Sequence, residues 1–252
     1  MPLSTRKRSV RKAKTVHVLS TINQSQHFWH FMLGEYFPLV HYLHTHRKHR
    51  PLHVVLYKMQ KNCPLNVFYA ELQQALDGVT ISLHSDMTRI QHNYTALQPL
   101  DNITRANLKH HKRQLLETVR FLRETAIARY GAPTSSPHAS VHVRNDNDTS
   151  LRKYYDTHYA DKYGEAQPYM QTSGAQRRKV TNMPALVDAL KTRLNKPVRV
   201  LHSRPHEPFL QQLHHYLSTD VYVLEHGAAM VFALFVRPSS TVIELIPRKK
   251  QQ

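Results

Sequence analysis

Residues 220–247 read DVYVLEHGAAMVFALFVRPSSTVIELIP, and the fold turns on this stretch. Val221 to Leu224 is a short apolar run without alternation, the pattern of a parallel strand covered on both faces. Glu225-His226-Gly227 ends the run, and Ala228 to Val236 is apolar enough for a short helix packed on a sheet. Arg237-Pro238-Ser239-Ser240 stops that helix, because proline disfavours helix at the residue before it. Thr241 to Ile246 then reads as a second buried, β-branched strand. In an open α/β sheet the turn after such a first strand lies at the carboxyl edge, where ligands bind. A helix starting there presents unbonded N–H groups and partial positive charge, a seat for phosphate.

Working back from this stretch, strands and helices continue to alternate. Pro208 to Leu217 and Pro184 to Leu194 have helical spacing, the second with proline at its first turn, and Val198 to His202 and Ala139 to Val143 read as strands. Leu151 to Ser173 is tyrosine-rich and polar with no period, an insertion near the site. Gly131-Ala132-Pro133-Thr134-Ser135-Ser136-Pro137 is a linker, and the domain boundary is placed there.

The first half repeats the rhythm. Thr15 to Ser20, Leu52 to Tyr57 and Val79 to Leu83 are strands, with a helix from Leu65 to Leu76. Between the first two lies NQSQHFWHFMLGEYFPLVHYL, residues 23–43, a dense aromatic helix with Pro38 as its kink or break. Arg105 to Tyr130 is one long amphipathic helix. Its apolar positions are Leu108, Leu115, Leu116, Val119, Leu122 and Ile127, and its basic face is Lys109, Lys112, Arg113, Arg120 and Arg123. The expected architecture is α/β: a basic arm over 1–14, an N-terminal α/β domain over 15–133 and a C-terminal one over 138–252, with a ligand in the cleft between them.

Composition narrows the chemistry. The chain has 252 residues, with 35 Lys+Arg against 17 Asp+Glu, a formal net charge of +18 and 20 His. Such a field draws polyanions, phosphorylated ligands or anionic surfaces. One cysteine, Cys63, excludes an intrachain disulfide. No run reaches the roughly 18–20 apolar residues of a membrane span, and the basic N-terminus has no apolar segment behind it. The expectation is therefore a chain without a signal peptide, cytoplasmic by default. Asn-X-Ser/Thr sequons start at Asn23, Asn93, Asn102 and Asn147.

The stretch from Pro208 to Pro247 resembles the C-terminal signature of glycosyltransferase family 61, the group with plant xylosyltransferases and O-linked GlcNAc transferases. The matching motifs are His226-Gly227-Ala228-Ala229 and Glu244-Leu245-Ile246-Pro247, with Ala229 where the family carries a second glycine. ASVHVR is similar to the family's strand ending in arginine, here Arg144. RRKVTNMPALVDAL resembles its Arg-X-apolar-X-Asn segment, which falls on Arg178 (or Arg177) and Asn182. HFWHFMLGEY looks like its early His-aromatic segment, which falls on His30 and Glu35.

The resemblance implies two Rossmann-like domains in a GT-B-like arrangement and inverting, metal-independent transfer from a nucleotide-sugar donor to a glycan or protein acceptor. No cofactor is expected. Charge developing on the leaving diphosphate needs cations or N–H groups. Arg144, Arg178 and the turn His226-Gly227-Ala228 are the candidates, since guanidinium suits phosphate bidentately. Glu225 and Glu244 are added as donor-side carboxylates. Inversion needs one general base on the acceptor hydroxyl, for which His30 and Glu35 are the candidates. Asp146-Asn147-Asp148 has the form of a metal-holding DXD but reads more simply as turn chemistry. The rival reading is a basic nucleic-acid-binding protein without catalysis, supported by the charge, the arm and the long helix; it lacks zinc-finger, RRM or helix-turn-helix signatures.

Overall fold

The computed structural model describes residues 13–20, 28–46, 48, 51–57, 64–84, 94–100, 108–133, 136–143, 180, 182–202 and 207–246. Two parallel four-stranded sheets organise the chain. The first comprises β1 (Lys14–Leu19), β2 (Leu52–Tyr57), β3 (Val79–His84) and β4 (Thr95–Ala96), in the order β3-β2-β1-β4. The second comprises β5 (His138–Val143), β6 (Val198–His202), β7 (Thr219–Glu225) and β8 (Thr241–Leu245), in the order β6-β5-β7-β8. These are the two Rossmann-like sheets of a GT-B arrangement. In each, the strand order reverses beside the strand that opens it, between β1 and β4 and between β5 and β7. Those reversals create crevices at the carboxyl edge.

The aromatic helix departs from its expected form. It runs as α1 (Phe28–Phe31), a π turn (Met32–Tyr36) and α2 (Phe37–Thr45), and passes through Pro38 instead of breaking there. In the π register Phe37 N–H bonds Met32 O, and position 38 would next bond Leu33 O. Proline has no N–H to give, and Leu100 N–H bonds Leu33 O at 2.7 Å in its place. One backbone bond from a distant segment thus carries the helix past its proline. The short strand β4 pairs with Val18 and Leu19 of β1.

The two halves share one core. Phe209 lies at the start of α6 (Phe209–Tyr216) and is fully buried. Its ring meets Tyr36 at 5.5 Å and Phe68 at 5.6 Å from the first half, and Phe235 at 5.7 Å and Phe232 at 5.8 Å from the second. Phe68 belongs to α3 (Val67–Ala75), which follows a single 3-10 turn at Pro64–Asn66. A buried carboxylate reinforces the seam. Glu71 accepts the Leu210 N–H at 2.8 Å and the Tyr130 hydroxyl at 3.0 Å, and burial raises its pKa above the ordinary value. It satisfies a first-turn donor of α6 that no helical carbonyl can reach.

The long helix α4 (Leu108–Tyr130) packs against α2 and α6. Its core face is more polar than its sequence implies: His111, Gln114 and Thr118 are buried beside Val119, Leu122 and Ala126. Leu116 and Ile127, expected inside, lie on the solvent face. Arg123, expected on the basic face, instead turns inward and donates to the Phe235 and Val236 carbonyls at 2.8 and 2.9 Å. Helix α5 (Met183–Leu194) covers part of the second sheet through Val187, which packs with Val141 and Val223.

Candidate active site

At the carboxyl end of β7 the chain turns through His226 and Gly227 into a 3-10 segment, Ala228–Leu234. Gly227 has φ 151° and ψ −156°, a region that essentially glycine alone enters without strain. That requirement explains glycine at this position. The short helix expected here takes the tighter 3-10 form. An all-apolar stretch has no amphipathic period to select α over 3-10, and three-residue turns align Phe232 under Phe235, both buried. Met230 N–H bonds Gly227 O at 3.0 Å, and Tyr222 donates its hydroxyl to Ala229 O at 3.1 Å. Burial pushes the Tyr222 phenol well above its ordinary pKa, so it stays a donor.

His226 stands half-exposed at the tip, with Nδ1 2.5 Å from Glu244 Oε1. Its backbone N–H bonds Leu245 O at 3.0 Å, so ring and backbone are both tied to β8. Glu244 therefore has a partner, and its strand is not the buried one expected. The second sheet ends at β8, which pairs with β7, and Thr241, Val242 and Ile243 are exposed on it. A β-branched run looks the same in sequence at the edge as in the centre.

Glu225, the last residue of β7, is buried and accepts the Val180 N–H at 2.6 Å. This bond fastens the chain two residues beyond Arg178 to the end of β7. Beside β7, β5 ends at Val143, one residue before Arg144. Arg144, Arg177, Arg178, the Asp146-Asn147-Asp148 run, the insertion at 151–173, the basic arm before Ala13, Cys63 and the asparagines of the four sequons lie outside the described residues. Among the described residues, no three His, Cys, Asp or Glu side chains form a metal-binding group, and no helix is long and apolar enough to cross a membrane.

Beneath the turn, His142 of β5 is buried, with Nδ1 2.7 Å from the Tyr216 hydroxyl. Tyr216 stacks on Phe232 at 4.5 Å. No short motif marks this packed floor. Its members sit on a strand and a helix with no shared spacing.

The base candidates lie across the shared core. His30, in α1, is part-buried. Phe28 of the same helix stacks on Phe232 of the 3-10 segment at 5.7 Å. The element leaving β1 therefore touches the element leaving β7. Glu35, in the π turn, is fully buried and accepts the hydroxyls of Ser20, at the end of β1, and Tyr69, in α3.

Comparison with known proteins gives this geometry its family. The Glycosyltransferase 61 family profile matches residues 28–243, from the start of α1 into β8. The chain belongs to glycosyltransferase family 61. A search of curated proteins found no match. The family-61 match runs from the helix carrying His30 through β2 to β7 and into β8, stopping one residue before Glu244, and makes the protein a sugar-transferring enzyme that uses a donor and an acceptor.

Proposed function

We propose that the enzyme moves a sugar from a nucleotide-sugar donor to an acceptor hydroxyl, with inversion and without a metal ion. In this reading the second half, 138–252, holds the donor, and the first half, 15–133, presents the acceptor across a cleft. The observation that carries the reading is the His226–Glu244 pair on a glycine-dependent turn at the strand-order reversal of the second sheet. Ligands of open α/β sheets bind at such reversals.

The donor diphosphate sits against His226, Gly227 and Ala228. Glu244 holds the imidazole at Nδ1, which leaves the Nε2 edge of the ring to face a phosphate oxygen. Arg144 follows the neighbouring strand end directly, and Arg178 lies two residues from the Val180 anchor on Glu225. Both positions are consistent with guanidinium groups on the same phosphates. Glu225 then serves the donor site by fixing that segment.

In the chemical step the acceptor oxygen bonds to the anomeric carbon as the bond from that carbon to the diphosphate oxygen breaks. The acceptor proton passes to a base, and the electron pair leaves on the diphosphate, where the cations and N–H groups stabilise it. Of the two candidates, His30 is taken as the base. It is part-buried on a helix that touches the 3-10 segment, whereas Glu35 is enclosed by two hydroxyl donors and orients the π turn.

The test is incubation with a panel of nucleotide-sugars, following nucleotide release with and without a chelator. Release from one donor class, unchanged by chelation, is expected. Release that depends on manganese would replace the metal-free scheme with one built on Asp146 and Asp148. No release from any donor, together with thermal protection by an oligonucleotide alone, would favour the nucleic-acid reading.

A further inference from the structure

The outer face of α4 has a feature outside the proposed donor site. Lys109, Lys112, Arg113, Leu116, Glu117 and Arg120 line an open groove of about 360 Å³. Four of these six are cations and one is an acid, and Glu117 Oε2 lies 3.9 Å from His41 Nδ1, towards α2. Leu116 is 57% exposed and Ile127 is 36% exposed. They are eleven residues apart, and eleven residues return an α-helix to within roughly 20° of its starting direction, so both lie on one stripe. Glu124 is the further acid on this face, nearer Ile127 than the cations.

One exposed leucine on a protein surface is ordinary. Here the leucine stands among four cations, with a second apolar side chain in line with it. That is the pattern of a helix lying in a membrane interface, where Lys and Arg stems run along apolar surface and their heads reach phosphate. Nucleic acid offers the cations equivalent phosphates, but it favours aromatic side chains for stacking and gives Leu116 no apolar layer to enter. We infer that the outer face of α4 docks on an anionic phospholipid bilayer. Lys109, Lys112, Arg113 and Arg120 meet the headgroup phosphates, and Leu116 and Ile127 enter the boundary between headgroups and acyl chains.

The experiment is co-sedimentation of the full chain with vesicles of phosphatidylcholine alone and of phosphatidylcholine with phosphatidylserine, at physiological salt. Every variant keeps the basic arm, so the arm's own attraction is constant. The Lys112→Gln/Arg113→Gln double variant is expected to bind phosphatidylserine vesicles about twentyfold more weakly, at roughly fivefold per cation near the surface. Leu116→Gln, which leaves the charge unchanged, is expected to lose about fivefold through the apolar contact alone. Its affinity for a single-stranded DNA oligomer should not change. All three positions are exposed, and a circular-dichroism melt matching the wild type checks that the fold is intact. Three results would overturn the inference: wild-type vesicle binding by either variant, no wild-type binding to phosphatidylserine vesicles, or an equal loss of vesicle and oligomer binding in Leu116→Gln.

Discussion

His226→Ala and Arg178→Ala are each expected to lower kcat on the order of a hundredfold, with a smaller rise in KM for the donor and an unchanged melting temperature. Charge on the diphosphate grows as the sugar bond breaks, so groups that bind it act more strongly on the transition state than on the bound substrate. Losing such a group therefore appears in kcat and kcat/KM together. His226 is half-exposed at the tip of a turn whose backbone is held by Leu245 O and Gly227 O, so truncating the ring removes a ligand contact without opening the core. Glu244→Gln should cost less, about tenfold, because it weakens the bond that orients the ring while leaving the ring in place. Steady-state kinetics across donor concentration check all three. Normal turnover by both His226→Ala and Arg178→Ala would remove the proposed phosphate seat.

Phe209→Ala is expected to destabilise the whole chain by about 3–5 kcal/mol, the usual range for removing a fully buried phenylalanine. That is a large share of the roughly 5–15 kcal/mol by which domains are stable. The ring packs on Tyr36 and Phe68 from the first half and on Phe232 and Phe235 from the second, so the cavity opens in the core that joins them. The melting temperature should fall by about 10 °C in a single transition. Two resolved transitions, with one half melting as in the wild type, would mean that the halves are stable independently. A shared core fits a site assembled from both halves, since it fixes α1 against the 3-10 segment that follows His226-Gly227.

Much of this was legible in the sequence, and the limits have physical causes. The strands Leu52–Tyr57 and Val198–His202 match their sequence boundaries because β-branched runs between breakers leave little choice. Pro38 marks an irregularity but not its form, because the bond that carries the helix past it comes from Leu100, sixty-seven residues from Leu33 and beyond any local pattern. Helix type after Gly227 is hidden by uniform hydrophobicity. β8 reads as buried because parallel strands lack alternation wherever they lie in the sheet. Leu116 reads as core because leucine at a helical interval is indistinguishable from one a turn out of phase, while the true core stripe includes His111, Gln114 and Thr118.

At the site, the His-Gly motif was legible because its glycine answers a backbone need and its residues are contiguous. Glu225, His226, Gly227, Ala228 and Glu244 come together at the end of β7 and β8 as one cluster. Glu35 was singled out as a reacting group, yet its partners Ser20 and Tyr69 come from separate elements, and no spacing announces such an enclosure.

The central claim is that the turn at His226-Gly227-Ala228 binds the donor's diphosphate. Amide chemical shifts of the ¹⁵N-labelled protein, followed while uridine or guanosine diphosphate is added, test it most directly. The Gly227 and Ala228 amides and the His226 ring should move in a saturable way, while Lys112 and Arg113 on α4 stay in place. Saturable shifts confined to the α4 groove, with Gly227 and Ala228 unmoved, would contradict it.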